Sequence, residues 1–178
     1  MIFDLFLLAL FILFLFFVLL FFLSPANLKS YISGAPPVPT PKKDIGKAFR
    51  AAELKKGEKV YDLGSGFGKT LLIAEKEFSA EAVGFEYSLW ITLLSRLILK
   101  IKGSNSKVIN SNFLEADLSE ADLLYIYGSM SLMEKLEKKL SAEPVNAELV
   151  SYCFSLPNKE PKKTVTVSSG KKIFIYDV

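Results

Sequence analysis

The stretch "VYDLGSGFGKT", residues 60–70, decides how the chain is read. Apolar residues lead into Asp62, a turn with glycines at 64, 66 and 68 follows, and a helical pattern begins at Lys69. A strand that ends in a glycine turn and restarts as a helix is the opening unit of a ligand-binding α/β sheet. Gly68-Lys69-Thr70 also closes like a nucleotide P-loop, but that loop requires a glycine where Leu63 stands. A P-loop further needs an aspartate for magnesium at a neighbouring strand end, and "LLYIYG" supplies none. The dinucleotide spacing G-x-G-x-x-G fails as well, because its last glycine would fall on Lys69.

An alternating G-x-G-x-G turn introduced by an acid suits a ligand without phosphate. S-adenosylmethionine is one, with a zwitterionic amino-acid end, a sulfonium, a ribose and an adenine. Asp62 stands where a carboxylate attracts the ammonium, and Gly64, Ser65, Gly66 and Gly68 let the backbone come close. Glu86 ends the apolar run "AVGFE", placed for both ribose hydroxyls. A solvated strand-end carboxylate is the plainer alternative. Asn112 and Phe113, read as the end of the third strand, offer an amide to an adenine edge and a ring to its face. Tyr87 is placed to flank the ribose or adenine, or to pack.

Outward from the loop, strands and helices alternate. Strands are expected at "KVYDLG", "EAVGFE", "KVINSNF", "DLLYIYG" and "ELVSYCF", with helices at "KTLLIAEKEF", "LWITLLSRLILKI" and "SLMEKLEKKL". "KTVTVSS" and "KIFIYDV" read as a closing hairpin, and "DIGKAFRAAELK" as a short helix capped by Asp44. The fold class is α/β, a Rossmann-like seven-stranded sheet, mostly parallel, with an antiparallel C-terminal hairpin strand.

Residues 2–23 carry one charge, Asp4, in an otherwise apolar run. As a helix the run is about 33 Å long, enough for a bilayer's hydrocarbon core. A signal peptide fits poorly, since no basic residue precedes the run. The expected domains are a transmembrane helix at 2–23, a Pro-rich linker at 24–43 and a ligand-binding domain at 44–178. All 22 Lys and Arg residues follow the apolar run, with 18 of the 19 acids. The positive-inside rule then puts the N-terminus outside and the domain in the cytoplasm, as a single-pass membrane protein. The excess of four positive charges is too small for a nucleic-acid signature. Histidine is absent and Cys153 is the one cysteine, which excludes Ser-His or Cys-His catalysis, a histidine-bound metal and an internal disulfide.

"PPVPTPKK", "VYDLGSGFGKT", "AVGFEYSLWITLLSRL", "DLLYIYG", "LEKKL" and "FSLPN" occur in an order similar to one family. The chain resembles class I S-adenosylmethionine-dependent methyltransferases, and within them the membrane-anchored protein-lysine methyltransferases of the ATP synthase c-subunit and the adenine nucleotide translocase, with their prokaryotic relatives. The resemblance implies S-adenosylmethionine as cofactor, a lysine of a protein at or in the membrane as acceptor, and neither metal nor nucleic acid as partner. Phe67, Lys69, Tyr87 and Asn112 depart from the family's usual residues at their positions. The acceptor is expected at the carboxyl end of the fourth strand, where Tyr125 and Tyr127 stand, with Trp90 nearby and Thr40 offered by the proline segment. A lipid or small hydrophobic amine as acceptor, and a membrane-anchored binding or assembly module without catalysis, are the alternative readings.

Overall fold

The alternating pattern forms one seven-stranded sheet with helices on both faces in a computed structural model, which describes residues 2–23, 39–143 and 145–178. The strands are β1 (Lys59–Leu63), β2 (Glu81–Glu86), β3 (Lys107–Asn110), β4 (Leu123–Ile126), β5 (Glu148–Tyr152), β6 (Lys163–Thr166) and β7 (Lys172–Asp177), in the order β3-β2-β1-β4-β5-β7-β6. β3, β2, β1, β4 and β5 run parallel, and β7 pairs antiparallel with both β5 and β6. The hairpin therefore does not simply add to the edge. Its second strand lies inside the sheet and its first strand forms the rim.

The helices are α1 (Ile2–Leu23), α2 (Lys42–Ala51), α3 (Lys69–Phe78), α4 (Leu89–Ile101) and α5 (Met130–Ala142). One face of the sheet buries Ile45, Ala48 and Phe49 of α2, Leu71, Ile73 and Ala74 of α3 and Leu99 of α4 against Val60, Tyr125 and Val150. The other buries Met133, Leu136 and Leu140 of α5 with Phe113 and Leu118 against Leu63, Leu124 and Leu149. The three- and four-residue spacing in α5 is what lets one stripe reach the sheet.

Three details differ from the sequence reading. β3 stops at Asn110: Ser111 N–H makes one more bond to the Glu86 carbonyl (3.1 Å), and Asn112 then caps a 3-10 turn at Phe113–Glu115. α2 begins at Lys42 after Pro41, and Asp44 does not cap it. Asp44 is buried instead and accepts a 2.6 Å hydrogen bond from the Tyr152 hydroxyl, which ties α2 to β5.

α1 is continuous over 22 residues. Its side chains from Asp4 to Phe17 are exposed. Among the described residues no helix is long and apolar enough to cross a membrane; side-chain exposure in α1 is described for residues 4–19. A helix thus stands where a crossing is expected, without showing that it crosses. Most of the expected linker, residues 24–38, lies outside the described residues.

Leu136 is fully buried on the α5 stripe. Leu136→Ala should lower the unfolding free energy by about 2–5 kcal/mol, read as a lower urea midpoint with an unchanged slope.

Candidate functional site

β1 and β4 are neighbours, yet β1 is followed by strands laid to one side and β4 by strands laid to the other. This switch point opens a crevice beyond the carboxyl ends of the parallel strands. Asp62 pairs in register with Gly84 of β2 and Tyr125 of β4. The three elements that sequence reading singled out therefore converge there.

The loop after β1 folds over β2. The N–H groups of Gly64 and Ser65 both donate to the Phe85 carbonyl at 3.0 Å. Gly84 permits this approach, since a Cβ there would lie 2.4 Å from the Ser65 side chain. Gly64 and Gly66 have φ of 117° and 51°, and a Cβ on either would meet nothing within 4 Å. The loop thus presents bare backbone to open space.

Glu86 is buried at the end of β2. Its carboxylate accepts from Gly66 N–H (3.0 Å) and Ser88 N–H (2.8 Å). Burial pushes its pKa above the ordinary value, and the N–H groups of Ser88, Gly66 and Tyr87 pull it back. Asp62 is 3 % exposed. Burial raises its pKa to about 7, the Thr70 hydroxyl opposes the rise, and the charge of Glu86 adds to it. The two carboxyls share a water-poor crevice in which a ligand cation would be favoured.

The remaining expected residues divide. Tyr87 is half-exposed beside Glu86. The Asn112 amide is engaged locally, donating to Glu115 (2.8 Å) and accepting from Leu114 N–H (3.1 Å), and the Phe113 ring lies in the core. Tyr125 is 2 % exposed, with its ring edge-on to Phe49 and its pKa raised by burial. Its hydroxyl is 3.2 Å from Thr40 Oγ1, and Lys69 Nζ donates to the Thr40 carbonyl at 3.2 Å. Lys69, which the P-loop comparison treats as a misleading ending, is thus a tether that holds the segment before α2 over the loop. Tyr127 is half-buried, edge-on to Tyr152 (5.0 Å) and stacked near Phe154 (6.4 Å). Lys171 Nζ stands over both tyrosine rings, 5.8 and 5.5 Å from their centres.

Sequence reasoning misses three residues here. Asn110 donates from its amide to the carbonyls of Glu86 (2.9 Å) and Tyr87 (3.0 Å), locking the ends of β2 and β3 together. Ser111 next to it has a buried hydroxyl without a partner among the described residues, as does Ser65. Lys171 immediately precedes β7, which starts at the sheet's carboxyl edge because it runs antiparallel. The signal available for Asn110 and Ser111 was their place at a strand end; for Lys171 there was none before the strand order was known.

The residues fit an S-adenosylmethionine molecule. The glycine loop leaves space that a ligand can fill, Asp62 offers a carboxylate, and the buried hydroxyls of Ser65 in the loop and Ser111 after β3 have no partner among the described residues. Among the described residues no group of three or more His, Cys, Asp or Glu side chains is placed to hold a metal.

The fold is that of solved methyltransferases. An RNA methyltransferase from Salinibacter ruber, solved with S-adenosyl-L-homocysteine, matches with a TM-score of 0.75 at 27 % identity, over 79 % of this chain and 94 % of that one. The chain is an S-adenosylmethionine-dependent methyltransferase. Residues 62–163 match the family model described as the ANTKMT methyltransferase domain, and the chain belongs to that family. A protein-lysine N-methyltransferase of Saccharolobus islandicus is 30 % identical over 79 % of this chain and 90 % of its own length. The adenine nucleotide translocase lysine N-methyltransferase of Mus musculus is 32 % identical over 67 % of this chain. The Xenopus laevis lysine N-methyltransferase of the ATP synthase c-subunit is 30 % identical over 78 %. The chain spans only 53 % and 61 % of those two relatives.

Two outcomes follow. The folded Asp62 carboxyl binds its proton more tightly than the unfolded one, whose pKa is near 3.8. Its contribution to stability is therefore present below that value and is lost as pH rises towards about 7. Asp62→Asn should remove its share of this loss, seen in denaturant midpoints measured on either side of the window. Thr40→Val and Tyr125→Phe should each destabilise, with a coupling of about 0.5–1.5 kcal/mol in a double-mutant cycle.

Proposed function

We propose that this chain is a membrane-anchored methyltransferase that uses S-adenosylmethionine to methylate lysine in a membrane or membrane-associated protein. The observation that carries the acceptor assignment is the Lys171 ammonium over the faces of Tyr127 and Tyr152. Those rings sit at the carboxyl ends of β4 and β5, one strand from the donor loop, and they already receive an alkylammonium. Lysine as the acceptor class is supported by the relatives of Saccharolobus islandicus, Mus musculus and Xenopus laevis, all three lysine N-methyltransferases.

Asp62 would hold the cofactor's ammonium, Gly64, Ser65, Gly66 and Gly68 its amino-acid end, and Glu86 its ribose hydroxyls. Tyr87, Asn112 and Phe113 stand nearest the adenine side. The Asn112 and Phe113 roles require their present local contacts to be exchanged for ligand contacts. When bound, S-adenosylmethionine supplies a methyl group already activated by its sulfonium. The chain need not supply a nucleophile. It must align an amine, strip water from it and accept that the amine arrives protonated, with a pKa of about 10.4. Tyr127 and Phe154 line the acceptor side with rings, backed by the buried Tyr152, and desolvation there lowers the amine's pKa. Tyr125 has its hydroxyl on Thr40, so its part is to hold the covering segment in place. Without histidine, the proton passes to a carboxylate or to water, and that desolvation makes its loss easier.

The anchor is supported by α1. In the sequence, residues 2–23 carry Asp4 as their lone charge, and α1 forms over them; 22 residues of helix measure about 33 Å. The basic residues that follow it support a cytoplasmic domain and an outer N-terminus. Tethering raises the local concentration of an acceptor at the same bilayer.

Full-length protein in vesicles should bind S-adenosylmethionine in titration calorimetry. Glu86→Ala should weaken binding about 10- to 100-fold, the cost of losing hydrogen bonds to a charged group. Tyr127→Ala should leave cofactor affinity intact and slow methyl transfer. Labelled methyl should enter the protein fraction of membranes; label confined to lipid or RNA would overturn the lysine assignment.

A further inference from the structure

α4 is inverted relative to an ordinary surface helix. Its buried face is mostly polar, with Thr92, Ser95 and Leu99 following the buried cap Ser88. Leu89, Trp90, Leu93, Leu94, Leu97 and Ile101 are 45–72 % exposed. At about 100° per residue the last five of these centre on the side opposite the buried face. A monomeric soluble domain rarely leaves so continuous an apolar stripe in water.

The charge around the stripe selects its partner. No acid occurs in sequence between Glu86 and Glu115, whereas Arg96, Lys100, Lys102 and Lys107 do, and all four are exposed; Glu75 of α3 reaches the turn after α4, where its carboxylate is taken up by Ser104, Asn105 N–H and Ser106. An apolar stripe with a tryptophan near one end and bases along its flank matches a helix lying in the plane of an anionic bilayer surface. A protein partner would profit less from a flank so rich in bases. The chain also makes this partner available. Residues 24–41 between α1 and α2 reach at most about 65 Å when fully extended, so a domain anchored through α1 stays within that distance of the lipid surface.

We infer that the outer face of α4 is a second membrane contact, which docks the domain flat on an anionic leaflet. Leu89 and Trp90 follow Glu86 by only a few residues, so docking brings the carboxyl edge of the sheet, and the donor loop with it, down to the lipid headgroups. The contact would orient the site towards an acceptor at the bilayer face. This rests on the anchored methyltransferase reading for its meaning, but it is measured separately from that reading.

Trp90 is the single tryptophan and reports directly on the contact. Full-length protein is reconstituted into phosphatidylcholine vesicles with and without phosphatidylglycerol, with acyl chains carrying bromine as a quencher. The expected result is a blue-shifted Trp90 emission, strongly quenched, more so with phosphatidylglycerol, and with that increment lost in high salt. Leu94→Glu with Leu97→Glu should abolish quenching while flotation through α1 and cofactor affinity persist. Vesicles that float the chain but leave Trp90 unquenched would overturn the inference and spare the anchor. Failure of both flotation and quenching would overturn both. Self-association in detergent that the double variant dissolves, without lipid quenching, would assign the stripe to a second copy and overturn the lipid assignment.

Discussion

The carboxylate of Glu86 is buried at the end of β2 and held there by backbone N–H groups from two directions, Gly66 in the donor loop and Ser88 at the start of α4. A buried carboxylate without donors is costly, so whatever supplies them is fixed in place. Here those donors belong to the loop after β1 and to the helix after β2. One side chain therefore sets the distance between the cradle and the next helix. Asn110 reinforces the arrangement from β3 through the Glu86 and Tyr87 carbonyls. The crevice is pre-formed, and its second acid, Asp62, is buried strongly enough to titrate near neutrality until a cation arrives.

The parallel strands and the helices between them were legible because each strand carries a short apolar run and each helix a three- to four-residue stripe. α3, β2 and α4 fall on the residues their patterns mark. The glycine loop was legible for another reason: its spacing excluded two common ligands at Leu63 and Lys69. What could not be read depends on side chains choosing between partners. Asp44 looked like a cap, but the Tyr152 hydroxyl, 108 residues away in sequence, offers a buried bond. Asn112 looked like a strand end, but a free backbone N–H two residues on is nearer than the next strand. No local pattern encodes that choice.

The covering segment shows the same limit. Thr40 is buried because Tyr125 and Lys69 hold its hydroxyl and its carbonyl. Lys69 is read most simply as the first residue of a helix, which it is. Its long side chain also reaches back over the loop it follows. The far wall belongs to β7, whose first residues arrive at the carboxyl edge only because that strand runs against its neighbours. Tyr127 follows β4, Tyr152 ends β5 and Lys171 precedes the antiparallel β7, so the acceptor side exists as a product of topology.

α4 brings these threads together. Its inner face must lie close to the donor loop: a Cβ on Gly68 would sit 2.9 Å from Ser95 Oγ and 3.2 Å from the Leu99 side chain. Thr92 must also reach the Glu86 carbonyl, at 3.4 Å. Small polar residues meet both demands, and larger apolar ones would push the helix off the loop. The site thus explains why serine and threonine are inside. It does not require leucine, tryptophan and isoleucine outside, where lysine or glutamate would fold as well and dissolve better. The inner face of α4 answers to the cofactor loop; its outer face is set by a constraint that lies beyond the folded domain.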